Sequence, residues 1–222
     1  MNLAERLEQS LSELDCPVQF QSRRIRQRVI QYLLLIEKWN KQYNLTAIRT
    51  IETMLYRHVM DSLSIISYIN GPKIVDVGSG AGLPGMPLAI ARPDWQIILV
   101  ESNQKKAAFL QQVKIELGLA NIAIASARIE GLSPTDKINT IISRAYASLG
   151  VFVKTTRHLV SPEDIHCRWL AMKSRCADRE LEEVSAPFFI ENKIPLAVPG
   201  LSARRELIII GQSAQLPKLD RG

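Results

Sequence analysis

The chain has 222 residues, 46% of them hydrophobic and 23% charged, with a formal net charge of +6. That length accommodates one well-buried domain and a smaller appendage rather than two full domains. The composition excludes a membrane-spanning helix, which needs about 18 uninterrupted apolar residues, and the positive balance suits an anionic partner such as a nucleic acid.

The first residues, MNLAERLEQSLSELD, carry acids where a signal peptide needs a basic and then an apolar run, so a cytoplasmic protein is expected. Residues 1–70 read as a helical extension. Leu3, Leu7, Leu11 and Leu14 share one face of a first helix. Ser22 opens a second, with an apolar stripe through Ile25, Val29, Tyr32, Leu33 and Ile36 to Trp39. Thr50 opens a third, which runs through Met54, Leu55, Val59, Leu63 and Ile66 to a stop at Asn70–Gly71.

From Pro72 the pattern alternates strand and helix, and residues 71–212 read as an α/β core. Lys73–Val77 is a short β-branched strand, followed by a glycine loop and a helix that begins around Pro84 and stops before Pro93. Strand Gln96–Glu101 precedes helix Asn103–Gly118, and Asn121–Ser126 is a third strand. Ile138–Ser143 is a fourth, before helix Leu149–Val160; Cys167–Lys173 is a fifth, before helix Asp178–Val184. Phe188–Asn192 and Glu206–Ile210 then follow as two strands without a helix between them. Strand–helix alternation implies a parallel sheet covered on both faces, and the closing pair implies an antiparallel end. Residues 213–222 read as a tail.

Three cysteines (Cys16, Cys167, Cys176) at irregular spacing suit a reducing compartment better than a disulfide framework. His158, His166, Cys167 and Cys176 have no metal-ligand spacing, and no metal is expected.

The glycine loop, VDVGSGAGLPG over 75–85, matches two motifs at once. Gly80, Gly82 and Gly85 fit the GxGxxG of dinucleotide sites, while Asp76, Gly78, Gly80 and Gly82 fit the acidic, glycine-rich loop of S-adenosylmethionine enzymes. Glu101, at the end of the second strand, suits ribose hydroxyls in either case. Asp76 favours the second motif: a carboxylate repels a pyrophosphate but attracts the ammonium and sulfonium of S-adenosylmethionine.

KWNKQYNLTAI (38–48), RHVMDSL (57–63), VDVGSGAGLPGMPLAI (75–90) and ISRAYASL (142–149) stand in the order and spacing of the RsmG (GidB) family, which the chain resembles from about its second helix to its last strand. That family comprises bacterial small-subunit ribosomal RNA guanine-N7 methyltransferases. The resemblance implies a class I, Rossmann-like methyltransferase fold with a seven-stranded sheet, its last strand antiparallel, behind an N-terminal helical extension. It also implies 16S ribosomal RNA or the 30S subunit as substrate, with the chain expected to act as a monomer without metal or membrane. By position it puts Gly78 and Leu83 on the cofactor, Ile129 and Glu130 on its adenine, and Arg144 at the junction of cofactor and substrate. Glu101 stands where an aspartate is commoner. Lys173-Ser174 replaces the more usual Lys-Gly, which weakens the assignment of Lys173 to the substrate site.

The implied chemistry agrees with what is missing. Guanine N7 has a lone pair and no proton, so positioning replaces a general base. Ser143–Tyr146 (SRAY) is neither the Asn-Pro-Pro-aromatic loop of exocyclic-amine methyltransferases nor a cysteine nucleophile. Arg128 and Arg144 are candidates to anchor guanine or its phosphate. Tyr146 reads equally as a stacking platform and as an ordinary rim aromatic. Arg23, Arg24, Arg26 and Arg28 read as a solvated face or a phosphate-tracking patch. His58 and Asp61 read as a structural or positioning pair. An acceptor other than ribosomal RNA, or a nicotinamide dinucleotide in the GxGxxG frame, is the competing expectation.

Overall fold

Strand β1 (Lys73–Val77) is buried at four of its five positions, as a strand covered on both faces must be. The computed structural model describes residues 1–14, 22–134 and 136–214; Cys16 and residues 215–222 of the tail lie outside these. β1 pairs in parallel with β2 (Gln96–Val100) on one side and β4 (Thr140–Arg144) on the other. β3 (Ile122–Ala125) and β5 (Arg168–Lys173) extend the parallel sheet outward. β7 (Glu206–Gln212) then runs antiparallel between β5 and β6 (Phe188–Pro195), so the order is β3-β2-β1-β4-β5-β7-β6. The link from β6 to β7 holds no helix, and it is this short return that forces the antiparallel direction.

Successive side chains of a strand point to opposite faces, and here they divide the core in two. Ile74, Leu99, Ile142, Leu170 and Leu207 face the layer of α2 (Arg23–Tyr43), α5 (Gly85–Ala91) and α6 (Gln104–Leu117). Val75, Val100, Ile141, Trp169 and Ile208 face α7 (Leu149–Thr156). The helical extension shares the first of these cores: Tyr32, Leu33, Ile36, Met54, Leu55, Val59 and Met60 are buried in the same cluster as Leu99 and Phe109. Among the described residues no helix is long and apolar enough to cross a membrane.

Five elements differ from the sequence pattern. The first helix, α1 (Leu3–Ser12), ends before Leu14. The helix expected from Thr50 begins there, with the Thr50 side chain capping Thr53 N–H, but it changes register. α3 (Ile51–Met54) passes into a π-helical stretch (Leu55–Met60), then into α4 (Asp61–Leu63). β6 and β7 each run past their expected ends, to Pro195 and Gln212, and β6 carries an irregularity between Ile190 and Asn192. α8 (Asp178–Leu181) is shorter than expected.

Candidate active site

The glycine loop leaves β1 and is stitched to its neighbour: Gly78 N–H and Ser79 N–H donate to the Val100 carbonyl at 2.9 and 3.1 Å. Ser79 O in turn accepts from the N–H groups of Gly82 and Leu83. Gly78 has φ +69°, and a Cβ there would lie 2.7 Å from the Tyr146 ring. Both the backbone conformation and the close approach therefore require glycine. At Gly80 a Cβ would meet only the Gly78 carbonyl oxygen, at 3.9 Å, which leaves room for a ligand on that side of the loop; Gly82 instead packs against Leu110 and Met86.

Two carboxylates hold the loop. Glu101 accepts from Gly80 N–H at 2.8 Å through Oε2 and from Asn103 N–H at 2.7 Å through Oε1. Asp76 is fully buried under the loop, where its Oδ2 accepts from Gly85 N–H at 2.8 Å and caps α5. Its Oδ1 has no partner, the one such buried side-chain atom among the described residues. Burial pushes the Asp76 pKa up to about 7, against the opposing effect of the Gly85 bond. Asp76 thus acts from beneath the loop rather than from a cavity wall. It also consumes the first N–H of α5, a donor that a pyrophosphate would need. An unsatisfied carboxylate oxygen under an open glycine turn fits a cationic ligand and not a diphosphate.

A cavity of about 210 Å³ opens beside the loop, lined by Gly78, Val100, Ser102, Arg128, Ile129, Glu130 and Tyr146. Ile129 and Glu130 belong to a one-turn 3-10 helix (Ile129–Gly131) that stands where the alternating pattern would otherwise place a full helix. Leu83 is not part of this wall; its side chain is in the apolar core behind the loop. Tyr146 packs on Gly78 and, edge-on, against Phe152.

A second cavity, of about 490 Å³, has walls that include Arg57, His58, Asp61, Arg144, Lys173, Arg175 and Arg205. Arg144 and Ala145 line this one and Tyr146 lines the first, so a single segment separates the two. Ala145 has φ +55°, a strained conformation for a residue with a Cβ, and the segment is held on both sides of it. Lys173 Nζ donates to the Ala147 carbonyl at 2.7 Å and pairs with Glu180. Asp61, nearly inaccessible, accepts from Arg144 Nη1 at 3.0 Å and from Arg205 Nε at 2.8 Å.

The π-helical stretch explains a further contact. In an α-helix the Asp61 N–H would bond the Arg57 carbonyl; here it goes to Tyr56 and His58 instead. The bypassed Arg57 carbonyl accepts from Arg144 Nη1 at 3.0 Å and lies 3.1 Å from His58 Nδ1. Thr46 Oγ1 lies 3.0 Å from the other ring nitrogen, and Asn40 holds the Thr46–Ile48 loop through the Thr46 N–H and the Ile48 carbonyl. Burial, then the Arg144 charge, lower the His58 pKa to about 4. His58 is therefore neutral, and Asp61 pairs with two arginines rather than with it.

Reasoning from sequence missed Arg57, Arg175 and Arg205, since nothing local marks residues that converge from such distant segments. The expected arginine patch on α2 is divided. Arg26 pairs with Glu8 at 2.6 Å and Arg28 donates to the Gly118 carbonyl at 3.1 Å, which leaves Arg23 and Arg24 exposed. No group of three potential metal ligands occurs among the described residues, and Cys167 and Cys176 are free.

A family model described as GidB, rRNA small subunit methyltransferase G, matches residues 25–209. Ribosomal RNA small subunit methyltransferase G of Nitrosomonas eutropha is 46% identical over 210 residues, covering 95% of this chain and 98% of its own length. The protein of the same name in Nitrosomonas europaea is 49% identical over 183 residues, 82% and 86% of the two chains. Among solved structures, magnesium protoporphyrin IX methyltransferase from Synechocystis PCC 6803, with bound SAM, superposes with a TM-score of 0.58 at 10% identity, covering 82% of this chain and 97% of that one. A protein of the NADB-Rossmann superfamily from Streptococcus agalactiae gives 0.56 at 16% identity, covering 71% and 69%. These two similarities establish the Rossmann-like fold alone.

Proposed function

The chain belongs to the GidB family, rRNA small subunit methyltransferase G, and from that membership we propose that its two cavities serve one reaction: transfer of the methyl group of S-adenosylmethionine to N7 of a guanine in 16S ribosomal RNA. The observation that carries this reading is the shared wall, in which Arg144 and Ala145 face the basic cavity and Tyr146 faces the glycine-loop cavity.

S-adenosylmethionine supplies an electrophilic methyl group carried on a sulfonium. The residues to hold it are Gly78 and Gly80 through their backbone, Glu101 for the ribose, and Ile129 with Glu130 for the adenine. Each Glu101 oxygen keeps a second lone pair after its backbone bond, which a hydroxyl can use. Asp76 contributes an uncompensated negative charge beneath a positively charged ligand. Gly82 and Leu83 shape the loop from behind.

The acceptor nitrogen has no proton to lose, so the protein has only to hold the base in line. Such positioning is worth up to roughly 7–11 kcal/mol in well-oriented reactions. Arg144 is suited to this because its charge is permanent and two elements fix its guanidinium. Neutral His58 orients that arrangement and does not act as a base. Arg128 and Tyr146 border the cofactor cavity, where the base would meet the methyl donor. A ribosomal RNA acceptor also implies action in the cytoplasm and accords with the net charge of +6.

The test is transfer of a labelled methyl group from S-adenosylmethionine to deproteinised 16S RNA and to intact 30S subunits, followed by mass mapping of nucleosides. Label in 7-methylguanosine at one position is expected, and Arg144→Ala should lower transfer by about 100-fold or more with the fold retained, at a lowered melting temperature because buried Asp61 loses one of its two partners. Label on another atom, or none in RNA, would overturn the proposal.

A further inference from the structure

Arg57 and Arg175 both line the basic cavity and both are exposed. Among the described residues neither guanidinium makes a hydrogen bond or an ion pair. The other cations of this cavity are committed: Arg144 and Arg205 share Asp61, and Lys173 pairs with Glu180. Arg57 projects from the π-helical stretch of the extension, and Arg175 from the segment that follows β5. Two separate elements therefore each bring one unpartnered guanidinium to the same opening. Neither adds an interaction to the fold; both raise the positive potential of a cavity in which Asp61 is the only acidic lining residue.

A guanidinium fork matches two oxygens of one phosphate. A base taken out of a nucleic acid stack brings its two flanking phosphates to the mouth of the pocket it enters. Resting on the reading of this cavity as the RNA site, we propose that Arg57 and Arg175 clamp the phosphates on either side of the acceptor guanosine. The clamp holds the strand at the mouth of the cavity, and Arg144 and the cofactor cavity meet the base at its edge. This contact is independent of base sequence: it positions and does not specify.

Binding of deproteinised 16S RNA is measured for the wild type, Arg57→Gln, Arg175→Gln and the double variant between 50 and 200 mM KCl. Each single substitution is expected to flatten the slope of log affinity against log salt by about 0.7, and the pair by about twice that, as for single-stranded phosphate contacts. KM for RNA should rise roughly fivefold or more per substitution, with kcat within about twofold. Ethylation of either phosphate beside the acceptor guanosine should weaken binding of the wild type and leave the double variant indifferent. Because both side chains are exposed and unpaired, melting temperature and affinity for S-adenosylmethionine should not change. Unaltered salt slopes, unaltered ethylation interference, or a loss of cofactor affinity in the variants would each overturn the clamp. If wild-type protein transfers no methyl group to this RNA, the functional reading fails; transfer with unaltered slopes removes the clamp alone.

Discussion

Asp76 shows how one side chain can be costly to the empty protein and useful to the loaded one. Its carboxylate is fully buried with one oxygen unpartnered, and its pKa is raised from 3.8 to about 7. Between those values the unfolded chain gives up the proton while the folded chain keeps it, so stability falls as pH rises through this window. Above about pH 7 the loss is complete. Asp76→Asn keeps an acceptor for Gly85 N–H and removes the charge. At pH 8 the variant without cofactor should be more stable than the wild type by ~4 kcal/mol, with the difference vanishing toward pH 4. Affinity for S-adenosylmethionine should fall about tenfold or more. Denaturant melts across this pH range and calorimetric titration of the cofactor measure the two effects; a difference in stability independent of pH would show that the buried group does not titrate as stated. The acid of the glycine motif was legible as part of the loop, but its place under the loop was not, because one strand residue gives no sign of which helix it will cap.

The contact between α2 and the glycine loop belongs to the element scale. Tyr32, fully buried, donates its hydroxyl to the Ala81 carbonyl at 2.7 Å and lies close behind Gly82. A helix of the N-terminal extension therefore supports the glycine turn from below. Tyr32→Phe removes one buried hydrogen bond without leaving a large void and should cost about 1 kcal/mol of stability. The cofactor KM should rise several-fold while the RNA KM is unchanged; equal effects on both would make Tyr32 a general core residue. Apolar period made Tyr32 legible as a core position, and continuous β-branched runs made the central strands legible for the same reason. The π register of Leu55–Met60 was not legible, since an extra residue in a helical turn leaves its buried stripe almost unaltered. That register frees the Arg57 carbonyl for Arg144, which is why sequence spacing mispaired Asp61 with His58. The glycine-loop cavity was legible only in part: the motif itself supplies Gly78, and most of the remaining wall comes from the segments that follow β2, β3 and β4. The basic cavity draws on segments from Ile48 to Arg205 and became visible only when the chain was folded.

At the scale of the whole molecule, the helical extension is part of the methyltransferase core. Tyr32, Leu33, Ile36, Met54, Leu55, Val59, Met60 and Leu63 are each at most 1% exposed, in one cluster with Leu99 and Leu207 of the sheet and Phe109 of α6. Burial of a large apolar side chain is worth about 1.5–3 kcal/mol, so these eight contribute on the order of 12–24 kcal/mol before the entropy of ordering them. This gross contribution is of the same order as the ~5–15 kcal/mol net stability of an ordinary domain, so its loss weighs heavily. The extension also supplies Asp61, the buried acid between Arg144 and Arg205, whose loss would leave two largely shielded guanidiniums without a counter-charge. A fragment spanning 71–212, the core as the sequence alone divides the chain, should therefore not fold. It should show no cooperative melt, bind a hydrophobic dye and bind no S-adenosylmethionine, whereas the whole chain unfolds in one transition. Dye fluorescence with heating distinguishes the two. A cooperative melt of the fragment with cofactor affinity retained would mean that residues 1–70 are an appended module whose contribution lies in the RNA site alone.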